Sequence, residues 1–427
     1  MNNRPRLLLI TDTFPPAFAP RMGYLCKYLK TVLQWQIVVV HAKASEKSHA
    51  STFQHLCGYA DQEFAYEMSD GIHGCSLGEK LRAVRVGDCG FGALLAFVGS
   101  KIWYHLTGHA LDWGPKKTVR MALRSFKPDV ILGSSGTFGS GAYELAEYAG
   151  RISHIPVVQD WRDIAEEVSL EPQGRRNRKS RLVRDRCVRA AASNIAVLRS
   201  HYERLRSISG NTELVYNGYD PSVFEPCKAA RTDTFNLVYI GSVYPNRSRL
   251  DLFFEVMQKF LDMRDRTKDI RVHFYSTPST YEHCVQPSIA VGHEANFQLM
   301  PSVPQSSLCK EVLSKAAVLL TLSNDVKAGI GGISTKVFEY LISNRPVLLV
   351  KSGETSEDGS LVMKANAGIA SSDVNKIVDF LCAKYDEWKK NGFVVGTTDI
   401  SFAQQFSRDI SSRQIADILM RASKRKN

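Results

Sequence analysis

The stretch GGISTKVFEYLISNRPVLLV, residues Gly331–Val350, contains a turn, a short helix and a strand in succession. Two glycines and a Ser-Thr-Lys run lead into a helix-like segment that carries one acid, Glu339. The tripeptide Asn-Arg-Pro at 344–346 ends this segment before an apolar run, because proline cannot continue a helix. This order predicts a helix packed between the strands of a sheet, with its first turn at a glycine-rich loop.

Glu339 lies on a narrow polar stripe of the predicted helix. If the helix begins near Ser334, then Thr335, Glu339 and Ser343 share one face, since residues four apart are neighbours. A capping box requires Glu three residues after Ser or Thr, and apolar residues stand at those positions. A carboxylate near a helix start suits two vicinal hydroxyls, such as those of a ribose. The alternative is an exposed glutamate with no ligand.

Short apolar strands recur along the chain in two series. The first consists of RLLLI, QIVVV, LRAVRV, DVILGSS, IPVVQD, NIAVL and TELVYNG, most of them separated by segments with helical spacing. The second begins with FNLVYIGS and continues with IRVHFYS, FQLMPS, AVLLTLS, RPVLLV and AGIASS. Near-continuous apolar strands indicate sheets covered on both faces, which are parallel and doubly wound. The sequence therefore predicts an α/β chain of two Rossmann-like domains that face each other across a cleft.

A polar, turn-rich segment, Asn217–Thr234, separates the two series and suits a hinge. We therefore expect an N-terminal domain at residues 1–217, a hinge at 218–234 and a C-terminal domain at 235–404. The last helix, about residues 405–427, is expected to pack back on the N-terminal domain.

Cysteine usage and hydropathy exclude several classes of protein. The nine cysteines occur without a C-x-x-C pair, which argues against a disulfide framework and a zinc site. No signal peptide is recognisable, and no apolar run approaches the roughly twenty residues of a membrane-spanning helix. These features predict a cytoplasmic protein, because scattered free thiols suit a reducing compartment.

The formal net charge of +12 predicts an anionic partner. The densest basic cluster is RRNRKSRLVRDRCVR, Arg175–Arg189, and no aromatic residue interleaves with its arginines. Base stacking therefore has no support, and we expect no nucleic-acid partner. Peripheral contact with the inner face of an anionic membrane, a polyanionic substrate and a solvated helix face all stay open. The segment Phe91–Leu106 is either an interfacial patch or a helix packed on the sheet.

The loops that follow the strands of the second series are the expected ligand-binding loops, since open parallel sheets bind ligands beyond the carboxyl ends of their strands. They are Gly241–Arg249, Ser276–Thr280, Ser302–Ser307 and Ser323–Lys336. They are rich in glycine, serine and basic residues. Backbone N–H groups, helix N-termini and cations of this kind form phosphate cradles. The loops predict that this domain binds a nucleoside diphosphate.

Five motifs in chain order resemble those of family 4 of the retaining glycosyltransferases. STKVFEYLISNRPVLL is similar to the family's donor-site segment, whose common form is S-K-x-x-E-Y-L-x-x-x-x-P-V-L. LLLITDTFPPAFAPRMGYLCKYL resembles its first strand and Pro-Pro loop, and IPVVQDWRDIAEE resembles the D-x-R-D loop of bacterial members. VYNGYDPSVFEP resembles the hinge motif N-G-x-D-x-x-x-F, and FNLVYIGSVYPNRSRLDLFFEVM resembles the opening of the donor domain. The resemblance covers nearly the whole chain.

The resemblance implies a GT-B fold and a retaining, hexosyltransferase-like activity that needs no metal. The donor would be a UDP- or GDP-linked sugar, with no cofactor besides it. The acceptor would be a glycan or a lipid-linked molecule, in the synthesis of cell-surface polysaccharide or glycoconjugate. The N-terminal domain would hold the acceptor and the C-terminal domain the donor. Two alternatives keep the fold: a nucleotide-sugar 2-epimerase, and an inactive chain that acts as an interaction subunit.

The resemblance also implies a set of site residues, carried over by position. The expected catalytic residues are Asp160, Arg162, Asp163, Arg247, Arg249 and Lys336. The expected donor-binding residues are Ser242, Asp325, Gly331, Gly332, Ile333, Ser334, Thr335 and Glu339, with Glu339 on the ribose hydroxyls. The expected acceptor-side loop contains Pro16, Arg21 and Gly23. No metal ligands are expected, and the chain has no D-x-D motif.

The chain departs from the family pattern at three places. Gly331 stands eight residues before Glu339, where the family has a second glutamate that contacts the donor sugar. Asp325 in the preceding loop is a candidate substitute. AFAPRMG replaces the usual Gly-Gly of the first loop. Gln159 and Asp160 stand where many members have a histidine.

Overall fold

A computed structural model describes most of the chain. It covers residues 4–17, 19–43, 51–66, 98, 113–135, 141–164, 175–241, 243, 249–263, 268–322, 332–350 and 356–425. The chain divides into two compact units. Unit 1 comprises Met1–Val215 and Ser412–Asn427, and unit 2 comprises Tyr216–Ser411.

A parallel sheet forms the centre of unit 1. Its described strands are β1 (Arg6–Thr11), β2 (Gln36–Ala42), β3 (Gln62–Tyr66), β4 (Val130–Ser135), β5 (Val157–Trp161), β6 (Ser193–Ala196) and β7 (Thr212–Leu214). Their order is β3-β2-β1-β4-β5-β6-β7, and every neighbouring pair is parallel. The helices of the unit are α1 (Pro20–Thr31), α2 (Trp113–Ser125), α3 (Gly141–Ser153), α4 (Arg175–Ala190) and α5 (Arg199–Arg206), with a 3-10 helix at Ser51–Leu56.

Unit 2 repeats this architecture. Its described strands are β8 (Phe235–Ile240), β9 (Ile270–Tyr275), β10 (Phe297–Leu299), β11 (Val318–Leu322), β12 (Val347–Val350) and β13 (Gly368–Ser371). Their order is β10-β9-β8-β11-β12-β13, again with parallel neighbours. The helices that follow α5 in the chain are α6 (Leu250–Asp262), α7 (Pro278–Thr280), α8 (Leu308–Glu311), α9 (Thr335–Ile342), α10 (Glu357–Lys364), α11 (Val374–Asn391), α12 (Ile400–Gln404) and α13 (Arg408–Ser423). Single turns lie at Tyr281–Val285, Gln286–Ser288, Glu294–Asn296, Gln305–Ser307 and Leu313–Lys315.

Both sheets have the strand order of a dinucleotide-binding fold. In each unit the first strand pairs on one side with the second and on the other side with the fourth, so the order reverses between β1 and β4 and between β8 and β11. Ligands of such sheets bind outside the carboxyl ends of the strands at this reversal. The central strands are apolar because both faces are covered. Every residue of β11 and β12 is buried, for example.

Helix α13 packs against the core of unit 1 through its second half. Its Ile415, Ile418 and Leu419 are buried in the same apolar cluster as Leu7 and Leu9 of β1. Burial of side chains of this size stabilises a fold by about 1.5–3 kcal/mol each. The packing therefore holds the end of the chain on the sheet of unit 1.

The prediction of two parallel, doubly wound sheets is confirmed, but one strand was missed. Strand β3 has the sequence QEFAY, and most of its residues are exposed or half-buried at the sheet edge. An edge strand of this kind lacks the apolar run on which the prediction depended. The segments LRAVRV and Phe91–Leu106 lie outside the described residues, apart from residue 98. Among the helices that the structure describes, none is long and apolar enough to cross a membrane.

Candidate functional site

Helix α9 begins at the carboxyl edge of the unit 2 sheet, beside the end of β8. The Lys336 ammonium in its first turn donates a hydrogen bond to the hydroxyl of Tyr239 at 3.1 Å. The same nitrogen lies 4.2 Å from the centroid of the Tyr239 ring. The helix cap is Ser334, whose side chain makes no capping hydrogen bond. The first turn therefore brings a cation and the backbone N–H groups of a helix start to the reversal between β8 and β11.

Gly241 makes room for this cation. Its φ of +111° is in the range that favours glycine, and a Cβ built on it would lie 3.2 Å from the Lys336 nitrogen. A side chain at this position would strain the backbone and press on the ammonium. Glycine is thus required at this position of the LVYIGS segment for two reasons: the positive φ and the lack of room for a Cβ beside Lys336.

Replacement of Gly241 by alanine is expected to cost about 1–2 kcal/mol of stability, the scale of left-handed strain in a residue with Cβ. It should also weaken the binding of an anion at Lys336. Gly292 is a matched control, because its φ is +90° and a Cβ added there would meet nothing within 4 Å. Urea unfolding should show similar losses for both variants, whereas titration with a nucleoside diphosphate should show a loss only for Gly241→Ala. Equal affinity in both variants would contradict the contact with Lys336.

Burial lowers the pKa of Lys336 and raises the pKa of Glu339. Desolvation lowers the pKa of Lys336 to about 8, and the nearby Glu339 carboxylate partly opposes this shift. Desolvation raises the pKa of Glu339 to about 7, although Arg408 and Lys336 favour its ionised form and Asp220 disfavours it. Both residues keep some exposed surface, so protein atoms surround their charged ends without closing them off. Shifts of this kind are common at binding and catalytic sites.

The Glu339 carboxylate accepts no hydrogen bond from the part of the chain that the structure describes. Polar groups in partly buried positions are normally paired, because an unpaired one costs free energy. Within the described part of the chain, Glu339 is thus an unpaired carboxylate one turn from the half-buried Lys336, and this pair suits a ligand that carries both hydroxyl and anionic groups.

The segment that carries the NGYD motif lies beside Glu339 and has a structural role. A Cβ on Gly218 would lie 2.0 Å from the carbonyl oxygen of Phe406, so only glycine permits the approach. Tyr219 and Ser407 form a β-bridge at this point, and the Asp220 carboxylate accepts hydrogen bonds from the Ser222 N–H and hydroxyl at 2.9 and 2.7 Å. The motif therefore places Asp220 and Arg408 near Glu339.

Asp160 of unit 1, one of the predicted catalytic residues, is enclosed in the fold and does not face a ligand. It has no exposed surface, and the Arg21 guanidinium binds its carboxylate, with Nη2 at 2.9 Å from Oδ1. The Ser134 hydroxyl donates to its other oxygen at 2.9 Å, and Arg21 also donates to the Val215 carbonyl at 3.0 Å. Asp160 and Arg21 thus hold β5, β4 and α1 together. The prediction that Asp160 faces an acceptor is wrong, since its carboxylate is enclosed.

Arg162 and Asp163 are half-buried at the carboxyl edge of the unit 1 sheet. Arg162 donates to Asp12 at 2.8 Å, and the Ser135 hydroxyl donates to the other Asp12 oxygen at 3.0 Å. Burial raises the pKa of Asp163, while the charges of Arg162 and His201 oppose this shift. Nothing in these contacts assigns either residue to an acceptor, so their catalytic role stays a prediction.

Of the other predicted site residues, some are described by the structure and four are not. Gly332 is exposed and Ile333 is buried, while Pro16, Ser334 and Thr335 are half-buried. A Cβ on Gly23 would meet Pro15 and Leu56, so Gly23 serves close packing of α1. Arg249 pairs with the exposed Asp251 at 3.0 Å. Ser242, Arg247, Asp325 and Gly331 lie outside the described residues.

The sequence analysis did not identify three residues that lie beside the predicted ones: Tyr239 and Arg408 in unit 2, near Lys336 and Glu339, and Asp12 in unit 1, in contact with Arg162. Tyr239 and Asp12 carry a usable signal, because one lies at the end of β8 and the other directly follows β1. Arg408 is distant in sequence from the motifs, and no local pattern marks it. Its position depends on the pairing of Tyr219 with Ser407.

Comparisons with known proteins bear on the fold. No family model and no curated protein matches the sequence. Among solved structures, HepE of Anabaena in complex with UDP and glucose is similar at a TM-score of 0.62 and 13% identity, over 98% of this chain and 100% of the other. The lipopolysaccharide outer core galactosyltransferase WaaB has a TM-score of 0.60 and 10% identity, over 97% and 99%. A UDP-N-acetylglucosamine 2-epimerase of Listeria monocytogenes has a TM-score of 0.52 and 12% identity, over 100% and 98%. Together with the two parallel sheets, these likenesses show that the chain has the GT-B fold of two Rossmann-like domains.

Proposed function

We propose that the chain is a glycosyltransferase that moves a sugar from a nucleotide-sugar donor to a glycan or lipid-linked acceptor with retention of anomeric configuration. The observation that carries the proposal is the pair of Lys336 and Glu339 on helix α9, at the reversal of the unit 2 sheet, where Glu339 accepts no hydrogen bond from any described residue. Likeness to HepE and WaaB supports this choice among the functions that the fold permits.

Glu339 is proposed to accept hydrogen bonds from the two ribose hydroxyls of the donor. Lys336 and the first N–H groups of α9 would bind the diphosphate, because a helix N-terminus and a cation both favour anions. The residues from Gly332 to Lys336 would lie along the diphosphate and sugar. Ser242, Arg247 and Arg249 follow β8 in the sequence and remain proposed phosphate contacts, and Asp325 and Gly331 remain proposed sugar contacts.

The proposed reaction breaks the bond between the sugar and the diphosphate, and the bonding electrons leave with the diphosphate. Fixed cations and backbone N–H groups stabilise this developing charge without reorganising, which is the most effective form of electrostatic catalysis. Lys336 would supply this charge in place of a metal. Arg162 and Asp163 are proposed to contact the acceptor, while Arg21 and Asp160 position β5 behind them.

A nucleoside diphosphate that fits the site should raise the melting temperature of the chain. A ligand at about one hundred times its dissociation constant adds about 2.7 kcal/mol of stability, which is a shift of about 5–10 °C for a domain of this size. A thermal-shift comparison of UDP, GDP and ADP measures this effect, and a response to UDP or GDP is expected. No response to any of the three would contradict nucleotide binding.

Incubation with labelled UDP- and GDP-sugars separates the candidate reactions. Transfer or slow hydrolysis is expected for a transferase. Epimerisation at C2 of the sugar would identify the epimerase alternative, which the likeness to the Listeria monocytogenes protein keeps open. Nucleotide binding without any turnover would indicate an interaction subunit.

A membrane-bound acceptor would explain the basic helix α4. Its Leu182 side chain is 64% exposed, and basic residues flank it in sequence. We propose peripheral contact with the cytoplasmic face of an anionic membrane, since apolar insertion and charge attraction act together at such surfaces.

In vesicle flotation, the chain should bind anionic vesicles more than neutral ones, and rising salt should weaken this binding. Leu182→Asn should reduce the binding several-fold, whereas Met363→Asn, which removes an exposed apolar side chain of unit 2, should not. Equal absence of binding to both kinds of vesicle would assign α4 to an ordinary solvated surface.

A further inference from the structure

Two half-buried cysteines of unit 2, Cys227 and Cys309, are neighbours in the fold. Cys227 lies in the segment 217–234 and Cys309 lies in helix α8. Their thiols are close enough for each to shift the pKa of the other. Cys227 Sγ also donates to the carbonyl oxygen of Cys309 at 3.8 Å, and Cys309 Sγ donates to that of Val223 at 3.3 Å. With the Cys227 sulfur this close to Cys309, a local movement can bring the two sulfur atoms to the roughly 2.05 Å bond of a disulfide.

We propose that Cys227 and Cys309 form a reversible disulfide, which makes this pair a site of redox modification. In the first step the Cys309 thiolate attacks one sulfur of a low-molecular-weight disulfide, such as oxidised glutathione, and one glutathione thiolate leaves. In the second step Cys227 loses its proton to solvent, attacks the mixed disulfide at Cys309 and releases the second glutathione. Two protein thiols are oxidised to one disulfide while one glutathione disulfide is reduced to two thiols.

The environment of the pair favours this order of attack. The neighbouring Cys227 thiol stabilises the thiolate of Cys309 and lowers its pKa to about 7, although burial opposes the shift. The neighbouring Cys309 thiol, together with burial, raises the pKa of Cys227. The thiolate is the nucleophile in disulfide exchange, so Cys309 is the attacking residue. By contrast, burial raises the pKa of Cys187 to about 12 and keeps that thiol unreactive.

The pair is connected to helix α9 through one backbone hydrogen bond. The Cys227 N–H donates to the carbonyl oxygen of Ser343 at 2.9 Å, at the carboxyl end of the helix that carries Lys336 and Glu339. Closure of the disulfide draws Cys227 toward α8 and thereby shifts this anchor. We infer that oxidation weakens binding at α9, an inference that rests on the proposed function.

Peptide mapping tests the modification site without any nucleotide. The whole chain is equilibrated in a glutathione redox buffer, alkylated, digested without reduction and examined by mass spectrometry. A peptide pair joined through Cys227 and Cys309 is expected, with an initial rate whose pH midpoint is near 7, instead of the roughly 8.5 of an ordinary thiol. Cys227→Ser should accumulate glutathione on Cys309, whereas the control Cys284→Ser should keep the disulfide. Glutathione adducts at Cys227 and Cys309 without the joined peptide would overturn the proposal.

Calorimetry with UDP then tests the connection to α9. The reduced chain should bind UDP at least about fivefold more tightly than the oxidised chain, the lower end of typical coupling between two sites. Cys227→Ser, which cannot close the disulfide, should bind UDP equally before and after oxidation. Equal affinity of the reduced and oxidised wild type would overturn the coupling alone. Absence of binding of both UDP and GDP by the reduced wild type would instead count against the proposed function, while the mapping result still decides the disulfide.

Discussion

Replacement of Lys336 by methionine is expected to lower the rate of sugar transfer roughly a hundredfold or more, the scale of losing one fixed donor to a developing oxyanion. Methionine keeps most of the length of the side chain and can still pack against the Tyr239 ring, but it removes the charge. Because burial lowers the pKa of Lys336, the folded chain holds this ammonium at a cost at neutral pH. The variant should therefore fold at least as stably as the wild type, and lost turnover cannot be attributed to unfolding.

Lys376→Met on α11 is the matched control, since it removes an exposed lysine from the same unit. Its turnover should equal that of the wild type, and EDTA should leave both unchanged if cations of the chain replace a metal. Full activity of Lys336→Met would assign Lys336 to an ordinary packing role. A strict requirement for a divalent ion would contradict the metal-independent mechanism.

Replacement of Glu339 is expected to change binding and stability in opposite directions. Glu339→Ala should weaken the binding of the matching nucleoside diphosphate by about 1.5–3 kcal/mol, the range for hydrogen bonds to a charged group. Glu339→Gln should stabilise the chain near neutral and alkaline pH by about 2–3 kcal/mol, because it removes a carboxyl whose ionisation the fold disfavours. A binding residue that destabilises the unliganded protein is a common compromise at functional sites.

The pH dependence gives the sign of this stability effect. The pKa of Glu339 rises from 4.5 in the unfolded reference to about 7 in the folded chain. Below about pH 4.5 the carboxyl is protonated in both states, so Glu339→Gln and wild type should be equally stable. As the pH rises from 4.5 through 7, the unfolded chain ionises first and the wild type loses stability relative to the variant. Urea unfolding across this window measures the difference, and parallel curves would contradict the raised pKa.

Most of the fold could be predicted from the sequence, because it depends on local patterns of apolar and helix-ending residues. The apolar runs of β8, β11 and β12 predict buried strands, and the Asn-Arg-Pro tripeptide marks the end of α9. The edge strand β3 was missed, since its side chains are mostly exposed and carry no apolar run. The long apolar runs of the central strands indicate that the sheets are parallel. They do not show which segments, distant in the sequence, pair with each other.

The site was predicted in part, and the errors have a physical cause. The spacing of Lys336 and Glu339 on one helix was readable from the sequence, and the structure adds the contact with Tyr239. Asp160 was misread as a residue that faces the acceptor, because a D-x-R-D sequence does not show that Arg21, far away in the chain, encloses its carboxylate. Likewise the Cys227–Cys309 contact joins residues distant in sequence, and no spacing rule predicts it.

A binding cycle with two ligands and two proteins measures whether Glu339 binds the ribose of a nucleoside diphosphate. Calorimetry compares UDP with its 2′-deoxy analogue on the wild type and on Glu339→Ala. The wild type should prefer UDP by roughly tenfold or more, because the analogue lacks one hydroxyl donor to a charged acceptor. The variant should bind both ligands with equal affinity, since the acceptor is gone. An unchanged preference for UDP in Glu339→Ala would show that Glu339 does not bind the ribose hydroxyls.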